Sequence, residues 1–525
     1  MNNANSPALL RSLIVYAICI PLAIIVGYSV TSISNYRDYQ SIALVALLAG
    51  VLIFPLLMKW HYQLLILSWS LPLVVFFLPG HPALFIPMVA TSLTISVVDR
   101  ILNREKRFVT PAGVQWPLLA LLAVVLLTAK LTGGFGLKSM GSDVYGGKKY
   151  IFLMIGICAF FAVIARPIPK KHANFFIALY LLGGVFRVIS DFGAVMPAGL
   201  NYIYLLFPMT DLGADKMGNV ELEFGRTRLA GSACAGTAVF FWLLARYGVR
   251  DLLLTGKFWR PLLFVISFVL IFLGGFRSAI IGAVILFGIV FWMEKLHRSG
   301  LMLVVVLAGM MGATLIVPMA PHLPYTFQRA LAFLPLDIDP QVRMDAEGST
   351  DWRLAMWQAL LPQVPKYLLL GKGYAFSAET FNESMGHDAM FQNNIDASQD
   401  ALALSSDFHN GPLSIVIPFG IWGVLAWLWF WAAGFRVLWR NYRFGDPALR
   451  HINLFLFASF VMKCFGFLFL AGSLVDGAAD FGAVFGLSLA LNHGISGPKK
   501  ELEPKVVPAT DRPPLALPAQ PAFQR

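Results

Sequence analysis

Apolar runs long enough to cross a lipid bilayer recur along most of this chain, from Leu13 to His493. A bilayer core takes about 20 apolar helical residues per crossing. Lipid offers the backbone no hydrogen-bonding partners, and a spanning helix satisfies its own peptide groups. The period-two alternation that is typical of a membrane barrel is missing from these runs. The sequence therefore predicts an all-α, polytopic membrane bundle.

Composition agrees with a membrane location for most of the chain. Of the 525 residues, 58% are hydrophobic and only 13% are charged. A soluble protein of this length would carry more charge. The net charge of +12 would indicate nucleic acid in a soluble protein. Here the basic residues lie largely in short loops between apolar runs, so we interpret them as a topology signal and expect no nucleic-acid partner.

The apolar runs and the charges between them predict about fourteen spans. We place the spans at 12–30, 40–58, 62–79, 83–98, 113–130, 149–165, 173–190, 231–245, 261–275, 278–293, 301–320, 411–434, 452–472 and 478–493. Lysine and arginine concentrate in the loops after even-numbered spans, as in Arg166, Lys170 and Lys171. The positive-inside rule then places both termini in the cytoplasm.

Four regions follow from this topology. Residues 1–320 form a bundle of spans 1–11, and residues 411–495 form the C-terminal spans. Between them, residues 321–410 form one large, mostly helical loop on the non-cytoplasmic face. Residues 496–525 are rich in proline and indicate a disordered cytoplasmic tail.

In this predicted topology, three motifs lie at the non-cytoplasmic surface of the membrane. They are Arg226–Gly231 before the eighth span, Gly274–Ala279 between the ninth and tenth spans, and Ser405–Pro412, where the large loop re-enters the membrane. Because they lie at one level, helix packing would be able to bring them together. We therefore treat them as one candidate site.

Arginine suits phosphate because its planar guanidinium makes paired, charge-assisted hydrogen bonds. Two or three arginines beside one histidine would suit an anionic lipid diphosphate and a nearby acceptor hydroxyl. In the alternative interpretation, Arg277 anchors a hairpin at the lipid headgroups, and Arg226 and Arg228 are charged loop residues with no binding role. Among the outward histidines, His409 stands out because Asp407 and Asn410 flank it at a loop-to-span junction.

Other polar residues have more than one interpretation. Asp337 and Asp339 resemble the paired aspartates of metal-dependent glycosyltransferases, but they lie between prolines in a predicted surface turn. Trp352, Arg353 and Trp357 indicate one face of an amphipathic helix, which would pack on the bundle or cap the site.

Ionisable residues within the spans mark either a pathway or paired structural contacts. They are Arg187, Lys463, Asp476 and Asp480, and Lys463 and Asp480 are able to pair. The sequence shows no internal repeat of the kind that many transporters carry. A transporter or lipid-linked glycan flippase, and a non-catalytic scaffold, remain the alternatives to an enzyme.

Taken together, the motifs resemble those of the O-antigen ligase and Wzy-type polysaccharide polymerase superfamily. The resemblance runs from about Arg226 to Arg443. Its elements are Arg228–Gly231, the hairpin around Arg277, Trp352-Arg353, Gly371–Gly373, His409-Asn410 and Phe419–Gly423. Gly146–Tyr150 also resembles a loop of some polymerase-like members.

The resemblance implies a metal-independent, inverting membrane glycosyltransferase with a GT-C-like fold and no cofactor. It would act at the periplasmic face of the bacterial inner membrane, in exopolysaccharide or O-antigen biosynthesis. The donor would be a glycan on undecaprenyl diphosphate, and the acceptor a glycan or a lipid A-type molecule. Polysaccharide export or assembly proteins and membrane lipids would be partners. We favour a polymerase over a ligase.

The resemblance also implies roles for individual residues. Arg228 and Arg277 would bind the diphosphate, and His409 would assist the acceptor hydroxyl. The expected substrate-binding residues are Arg226, Arg353, Asp407, Asn410 and Lys149. The chain departs from the family pattern by about two extra spans and by Ser232–Ala235, where many relatives carry Pro-Asn. These departures leave the choice between ligase and polymerase open.

Overall fold

A computed structural model describes most of the chain. The described residues are Pro21, Pro55, 57–76, 78, 81–105, 107–136, 144–193, 196–209, 228–377 and 408–498. This part of the chain is predominantly helical, and its one two-stranded sheet joins two short strands. The expected all-α class is therefore confirmed for the described residues.

The α-helices are numbered here in chain order. They are α1 (57–68), α2 (Phe85–Leu102), α3 (Gln115–Leu131), α4 (Gly147–Ile164), α5 (Ala173–Leu182), α6 (Ala230–Tyr247), α7 (Arg250–Leu254), α8 (Trp259–Phe272), α9 (Arg277–Met293), α10 (Gly300–Met319), α11 (Tyr325–Leu331), α12 (Pro340–Leu360), α13 (Val364–Tyr367), α14 (Gly411–Phe444), α15 (Arg450–Phe465) and α16 (Leu474–Asn492). Short 3₁₀ segments include Gly183–Phe192 after α5, and a π-helical turn, Gly466–Leu470, ends α15. The strands are β1 (Val144–Tyr145) and β2 (Phe376–Ser377).

Seven helical segments among the described residues are long and apolar enough to cross a membrane, and three shorter ones of 10–17 residues are also apolar. The seven are Phe85–Leu102, Gly147–Ile164, Lys170–Phe192, Gly300–His322, Gly411–Phe444, Pro447–Leu470 and Leu474–Asn492. The protein is therefore a multi-pass membrane protein. Fourteen spans remain a prediction, because 12–30 and most of 40–58 lie outside the described residues.

The predicted span at 62–79 is wrong in its second half. Helix α1 ends at residue 68, and the chain then turns back so that Val74 forms a β-bridge with Ala83. Pro72 has no backbone N–H and cannot continue a helical hydrogen-bond pattern. Hydropathy detects the apolar run but not the turn within it.

Close packing of α4 on α16 forms the centre of the bundle. Gly156 on α4 and Gly486 on α16 allow this close contact: an added Cβ would lie 3.0 Å from Ala479 N and 3.0 Å from Val163 Cγ1, respectively, closer than side chains usually pack. Small residues of this kind let membrane helices approach closely. Trp427 of α14 packs on Phe481 of α16 beside this contact, with ring centroids 5.6 Å apart.

The segment between α10 and α14 docks on a break in α14. Gly420 has φ +60°, which interrupts the helix and frees peptide groups near Pro418. Ile421 N donates to Leu368 O at 2.7 Å, while Lys372 N donates to Ile417 O at 2.8 Å. Gly373 N donates to Pro418 O at 2.9 Å. The segment between α10 and α14 thus satisfies the groups that the broken helix cannot pair, as a membrane protein requires.

A second attachment lies beside the first. Strands β1 and β2 pair antiparallel, with Tyr145 opposite Phe376. The hydroxyl of Tyr150 accepts a hydrogen bond from Tyr374 N at 2.8 Å, and both tyrosines are buried. These contacts tie the start of α4 to the same Gly371–Gly373 turn.

We predict that Gly371→Ala weakens this docking by about 1–3 kcal/mol. Gly371 has φ +82°, which disfavours any side chain, and an added Cβ would clash with the carbonyl oxygen of Pro418. Thermal unfolding in detergent would show a lower midpoint. Gly348→Ala is the matched control, because Gly348 lies in α12 with nothing within 4 Å of an added Cβ. Equal midpoints for the two variants would contradict the docking role.

Candidate functional site: an arginine cavity beside His409

Arg228 is positioned by an N-terminal cap on α6. The carboxylate of Asp191 accepts hydrogen bonds from the backbone N–H groups of Gly231 and Ser232. Such groups have no partner within the helix, and the positive end of the helix dipole favours a carboxylate there. Leu229 N also donates to Leu273 O at 2.9 Å. The chain therefore enters α6 alongside the hairpin that joins α8 to α9.

The side chain of Arg228 lies on that hairpin. Its Nε donates to Gly274 O at 3.0 Å, and its guanidinium carbon lies 4.2 Å from the ring centroid of Phe276. Gly275 has φ +62°, a conformation that favours glycine in this tight turn. The structure thus brings the first two predicted motifs into direct contact.

Arg277, the first residue of α9, binds helix α12 in the segment between α10 and α14. Its Nη2 donates to Ala346 O at 2.8 Å and to Thr350 Oγ1 at 3.0 Å. Arg353 lies one turn of α12 beyond Thr350. Arg277 therefore holds α12, the helix that carries Trp352 and Arg353, against the α8–α9 hairpin.

A further arginine, Arg329 on α11, belongs to the same cluster and was missed in the sequence analysis. Its Nε and the Tyr325 hydroxyl both donate to Asp345 Oδ2, and its Nη1 donates to Gly275 O at 3.4 Å. The side chain of Arg329 is only 12% exposed. The one sequence signal was an i, i+4 pair of Tyr325 and Arg329 on a short helix, and such pairs are common.

Four arginines line one cavity of about 410 Å³, here called the arginine cavity. They are Arg228, Arg277, Arg329 and Arg353. Ser349 and Thr350 add hydroxyl groups, while Phe333 and Trp357 add apolar surface. No aspartate or glutamate is among the described residues that line this cavity.

Burial and the crowding of positive charge lower the pKa values of arginines in the cluster. Burial, and then the charge of Arg329, lower the pKa of Arg228 to about 10. The same two causes lower the pKa of Arg353. Burial opposes ionisation of Asp345, but hydrogen bonds from Tyr325 and Arg329 outweigh it and hold its pKa below the usual value. A bound polyanion would relieve the repulsion among these guanidinium groups.

His409 lies at the start of α14 in a constrained turn. It has φ +45°, and its ring centroid is 6.0 Å from that of Trp352. Trp357 Nε1 donates to Phe408 O at 2.9 Å, which ties the turn to α12. Asn410 accepts a hydrogen bond from Leu413 N at 3.0 Å and so caps α14. Asn410 therefore has a structural role beside the predicted substrate-binding one.

His409 lines a second cavity of about 550 Å³, here called the histidine cavity. The two cavities share Phe276, Ser278 and Leu470 as lining residues. They are therefore neighbours, with the α8–α9 hairpin between them. The arrangement places the four guanidinium groups in the cavity next to the one that His409 lines.

Other predicted residues lie elsewhere. Arg226 and Asp407 are outside the described residues. Lys149 Nζ lies 5.8 Å from the ring centroid of Tyr374, at the docking turn, and it is not among the described residues lining either cavity. Asp339 accepts a hydrogen bond from Gln341 N and caps α12, which gives it a structural role.

Residues 262–428 match the family model described as O-Antigen ligase. This segment is similar to an O-antigen ligase domain. The match supports the resemblance to the superfamily of O-antigen ligases and Wzy-type polymerases, whose members are glycosyltransferase-like. The domain includes Arg277, Arg329, Arg353 and His409, whereas Arg228 precedes it. No curated protein is significantly similar in sequence to the chain.

We predict that Asp345→Asn destabilises the domain by about 1 kcal/mol at pH 7. The folded-state pKa of Asp345 is depressed, so its contribution is present at neutral pH and is lost as pH falls below about 4. Thermal midpoints measured from pH 7 to pH 3 would fall in the wild type, and part of that fall would be missing in the variant.

Asp351→Asn is the control for this measurement, because Asp351 is an exposed carboxylate on the same helix. It should keep the wild-type midpoint at pH 7. If Asp345→Asn and Asp351→Asn gave the same pH profile, Asp345 would have no special role in holding Arg329.

Proposed function

We propose that the chain is an inner-membrane glycosyltransferase that moves a glycan from undecaprenyl diphosphate to an acceptor sugar hydroxyl at the periplasmic face. The transfer would serve exopolysaccharide or O-antigen biosynthesis. The observation that carries the proposal is the arginine cavity, whose four guanidinium groups adjoin the cavity of His409. The O-antigen ligase domain supports it, since that family uses lipid-linked glycan donors.

The arginine cavity fits the diphosphate of such a donor. Guanidinium groups match phosphate oxygens in geometry and stay charged when partly buried. Arg228 lies before α6 and Arg277 begins α9, while Arg329 and Arg353 belong to α11 and α12. A diphosphate between them would be contacted from two sides. The developing negative charge of the leaving group would then be neutralised by fixed cations, without need of a metal ion.

The chemical step is a displacement at the anomeric carbon of the donor glycan. The acceptor hydroxyl oxygen attacks that carbon from the side opposite the diphosphate and forms the new glycosidic bond. The carbon–oxygen bond to phosphate breaks, and its electron pair leaves with the diphosphate. The imidazole of His409 takes the hydroxyl proton as a general base. Attack from the opposite side inverts the anomeric configuration.

The same proposal assigns a topology. Both termini would be cytoplasmic, residues 1–320 and 411–495 would form the membrane bundle, and 321–410 would form a periplasmic lid over the site. The residues from 496 onward would extend into the cytoplasm.

A reporter enzyme fused within residues 321–410 should be active in the periplasm. A cytoplasmic reporter signal from this position would contradict the proposal.

A polymerase is favoured over a ligase within this proposal. Reconstitution with a lipid-linked oligosaccharide separates them, with or without a lipid A-type acceptor. Products of increasing repeat length would identify a polymerase, and a single transfer to lipid A would identify a ligase. The absence of both products would contradict the hypothesis that the protein is an enzyme.

One observation favours a lipid-linked glycan flippase as a second candidate. Lys463, Asp476 and Asp480 line the histidine cavity inside the bundle, as charged residues do along transport pathways. A flippase would translocate the lipid-linked glycan across reconstituted vesicles without forming a glycosidic bond. The reconstitution assay, read for both product and translocation, decides between them.

We predict that Arg277→Ala and Arg329→Ala each reduce transfer at least about 100-fold, because each removes a cation from the charge that develops on the diphosphate. Loss of radiolabelled donor would be followed in reconstituted vesicles. Arg343→Ala is the control: Arg343 is on α12 and donates to Leu336 O, away from the arginine cavity. It should retain transfer within about threefold. Full activity of Arg277→Ala would exclude the proposed donor site.

We predict that His409→Ala loses about 10²–10⁴-fold in kcat while binding of undecaprenyl diphosphate is unchanged. The reason is that His409 lines the histidine cavity, and is not among the described residues lining the arginine cavity. Diphosphate binding and single-turnover transfer would be measured on the same preparation. An equal loss of binding and rate would place His409 at the donor rather than at the acceptor.

A further inference from the structure

We propose that the cytoplasmic end of α2 carries a binding site for one anionic glycerophospholipid, whose phosphate is held by Arg100 and Arg104. The inference goes beyond the proposed function, because the ligand is neither the donor nor the acceptor of the transfer. It assigns a ligand of stated chemistry to a cavity that the transfer does not use. Its basis is the set of side chains around that cavity and their level in the membrane.

The cavity lies where α2 ends and is here called the α2 cavity. Its volume is about 370 Å³, and the described residues that line it are Val97, Arg100, Ile101, Arg104 and Phe108. The first three belong to the last turns of α2, and Arg104 lies in the turn that follows. No carboxylate is among these described lining residues. Two guanidinium groups therefore share a small cavity with three apolar side chains.

One wall of the α2 cavity is fixed to the bundle. Val109 N donates to Ile164 O at 3.0 Å, and the side chain of Val109 is buried. This contact holds the chain against the last residue of α4 and so positions the adjoining Phe108. The guanidinium carbon of Arg100 lies 5.0 Å from the ring centroid of Phe108. An arginine stacked on an aromatic ring keeps the N–H donors at its edge available to a ligand.

The positive charge of the α2 cavity is not neutralised by neighbouring carboxylates. Within the described part of the chain, Arg100 and Arg104 form no ion pair. Asp99, the acidic residue of α2, instead accepts hydrogen bonds from Arg166 Nη2 at 3.3 Å and from Asn103 Nδ2 at 3.0 Å. Guanidinium groups without a carboxylate partner bind phosphate oxygens through charge-assisted hydrogen bonds. The charge of the cavity is therefore complementary to a phosphate ester.

The apolar part of the α2 cavity lies at the level of the lipid chains. Ile101 is 69% exposed and its neighbour Leu102 is 76% exposed, although both belong to a helix long and apolar enough to cross a membrane. A spanning helix presents such side chains to lipid rather than to water. Arg104 follows them at the headgroup level, where basic residues attract anionic lipids. A free phosphate ion would leave Val97 and Ile101 uncovered, whereas a phospholipid covers both parts of the cavity.

The α2 cavity is remote from the arginine cavity. Ile164, whose carbonyl fixes the cavity wall, is the last residue of α4. Tyr150, near the first residue of α4, instead contacts Tyr374 beside the docking turn. A helix of 18 residues is about 27 Å long, so the two sites lie toward opposite ends of the bundle. In the proposed topology, the α2 cavity therefore opens to the cytoplasmic leaflet, whose anionic lipids attract basic residues.

Lipid binding to the full chain in detergent tests the assignment without needing glycan transfer. Native mass spectrometry would give the dissociation constant of the first bound lipid. Phosphatidylglycerol is the anionic probe, and phosphatidylcholine with the same acyl chains is the zwitterionic one. We expect phosphatidylglycerol to bind at least about fivefold more tightly, because its phosphate charge is not offset by a choline group. Inorganic phosphate at the same concentrations should not displace it, because the free ion has no apolar chains.

Arginine variants locate the binding. Arg100→Ala and Arg104→Ala should each raise the Kd for phosphatidylglycerol about fivefold, because each removes one contact to the phosphate. Arg107→Ala is the matched control, since Arg107 is an exposed arginine of the same loop and is not among the described residues lining the α2 cavity. It should change the Kd less than about twofold. Equal losses in Arg104→Ala and Arg107→Ala would show attraction to general surface charge and would overturn the site.

A second pair of variants tests the apolar part of the cavity. Ile101 and Leu102 are both exposed neighbours on α2, but only Ile101 is among the described lining residues. Ile101→Ser should raise the Kd for phosphatidylglycerol about threefold, while Leu102→Ser leaves it nearly unchanged.

Three results would overturn the proposal. Equal binding of phosphatidylglycerol and phosphatidylcholine by the unaltered chain would show no preference for an anionic headgroup. Displacement of phosphatidylglycerol by inorganic phosphate would identify a site for a free anion instead of a lipid. Equal effects of Ile101→Ser and Leu102→Ser would show that the lipid chains do not enter the α2 cavity.

Discussion

Backbone hydrogen bonds between residues 368–373 and the broken helix α14 hold the segment between α10 and α14 on the bundle, and the geometry of the site depends on them. Gly420 withdraws the peptide groups of Ile417, Pro418 and Ile421 from the helical pattern. An unsatisfied peptide group in an apolar environment costs several kcal/mol, so the break persists only with partners from elsewhere. The Gly371–Gly373 turn supplies them. Docking also holds α12, which precedes the turn, against the α8–α9 hairpin.

Charge crowding is the second constraint, and it follows from the first. Docking of α11 and α12 brings Arg329 and Arg353 to Arg228 and Arg277, although like charges repel. Asp345 offsets part of the repulsion by pairing with Arg329. The carbonyl groups of Gly274, Gly275 and Ala346 accept further hydrogen bonds from the cluster. The remaining positive charge makes the cavity complementary to a polyanion.

Parts of this site were predictable because they depend on residue type and membrane level. Arg228 lies just before α6, Arg277 is the first residue of α9, and His409 stands at a loop-to-helix junction. The structure places all three around adjoining cavities. Arg329 was not predictable in this way, because its burial depends on Asp345, on Tyr325 and on the turn at Gly275. These partners are separated in sequence, and no local pattern joins them.

The same distinction applies to the elements that position the site. Asp191 caps α6 from forty residues away, and Asn410 caps α14 from the adjacent position. Only the second type of cap can be read from neighbouring residues. The end of α1 at residue 68 was also missed, since Pro72 interrupts a run whose hydropathy remains high.

The sequence by itself determined that this protein is an all-α membrane bundle with a set of motifs that resembles that of O-antigen ligases. Hydropathy and charge distribution are local properties, and in a bilayer they leave the backbone few alternatives. Only the tertiary structure decided that four arginines share one cavity and that carboxylates line the next, beside His409. That arrangement depends on close helix packing at glycines and on docking at a broken helix. Both are contacts between residues distant in sequence, which composition and periodicity do not encode.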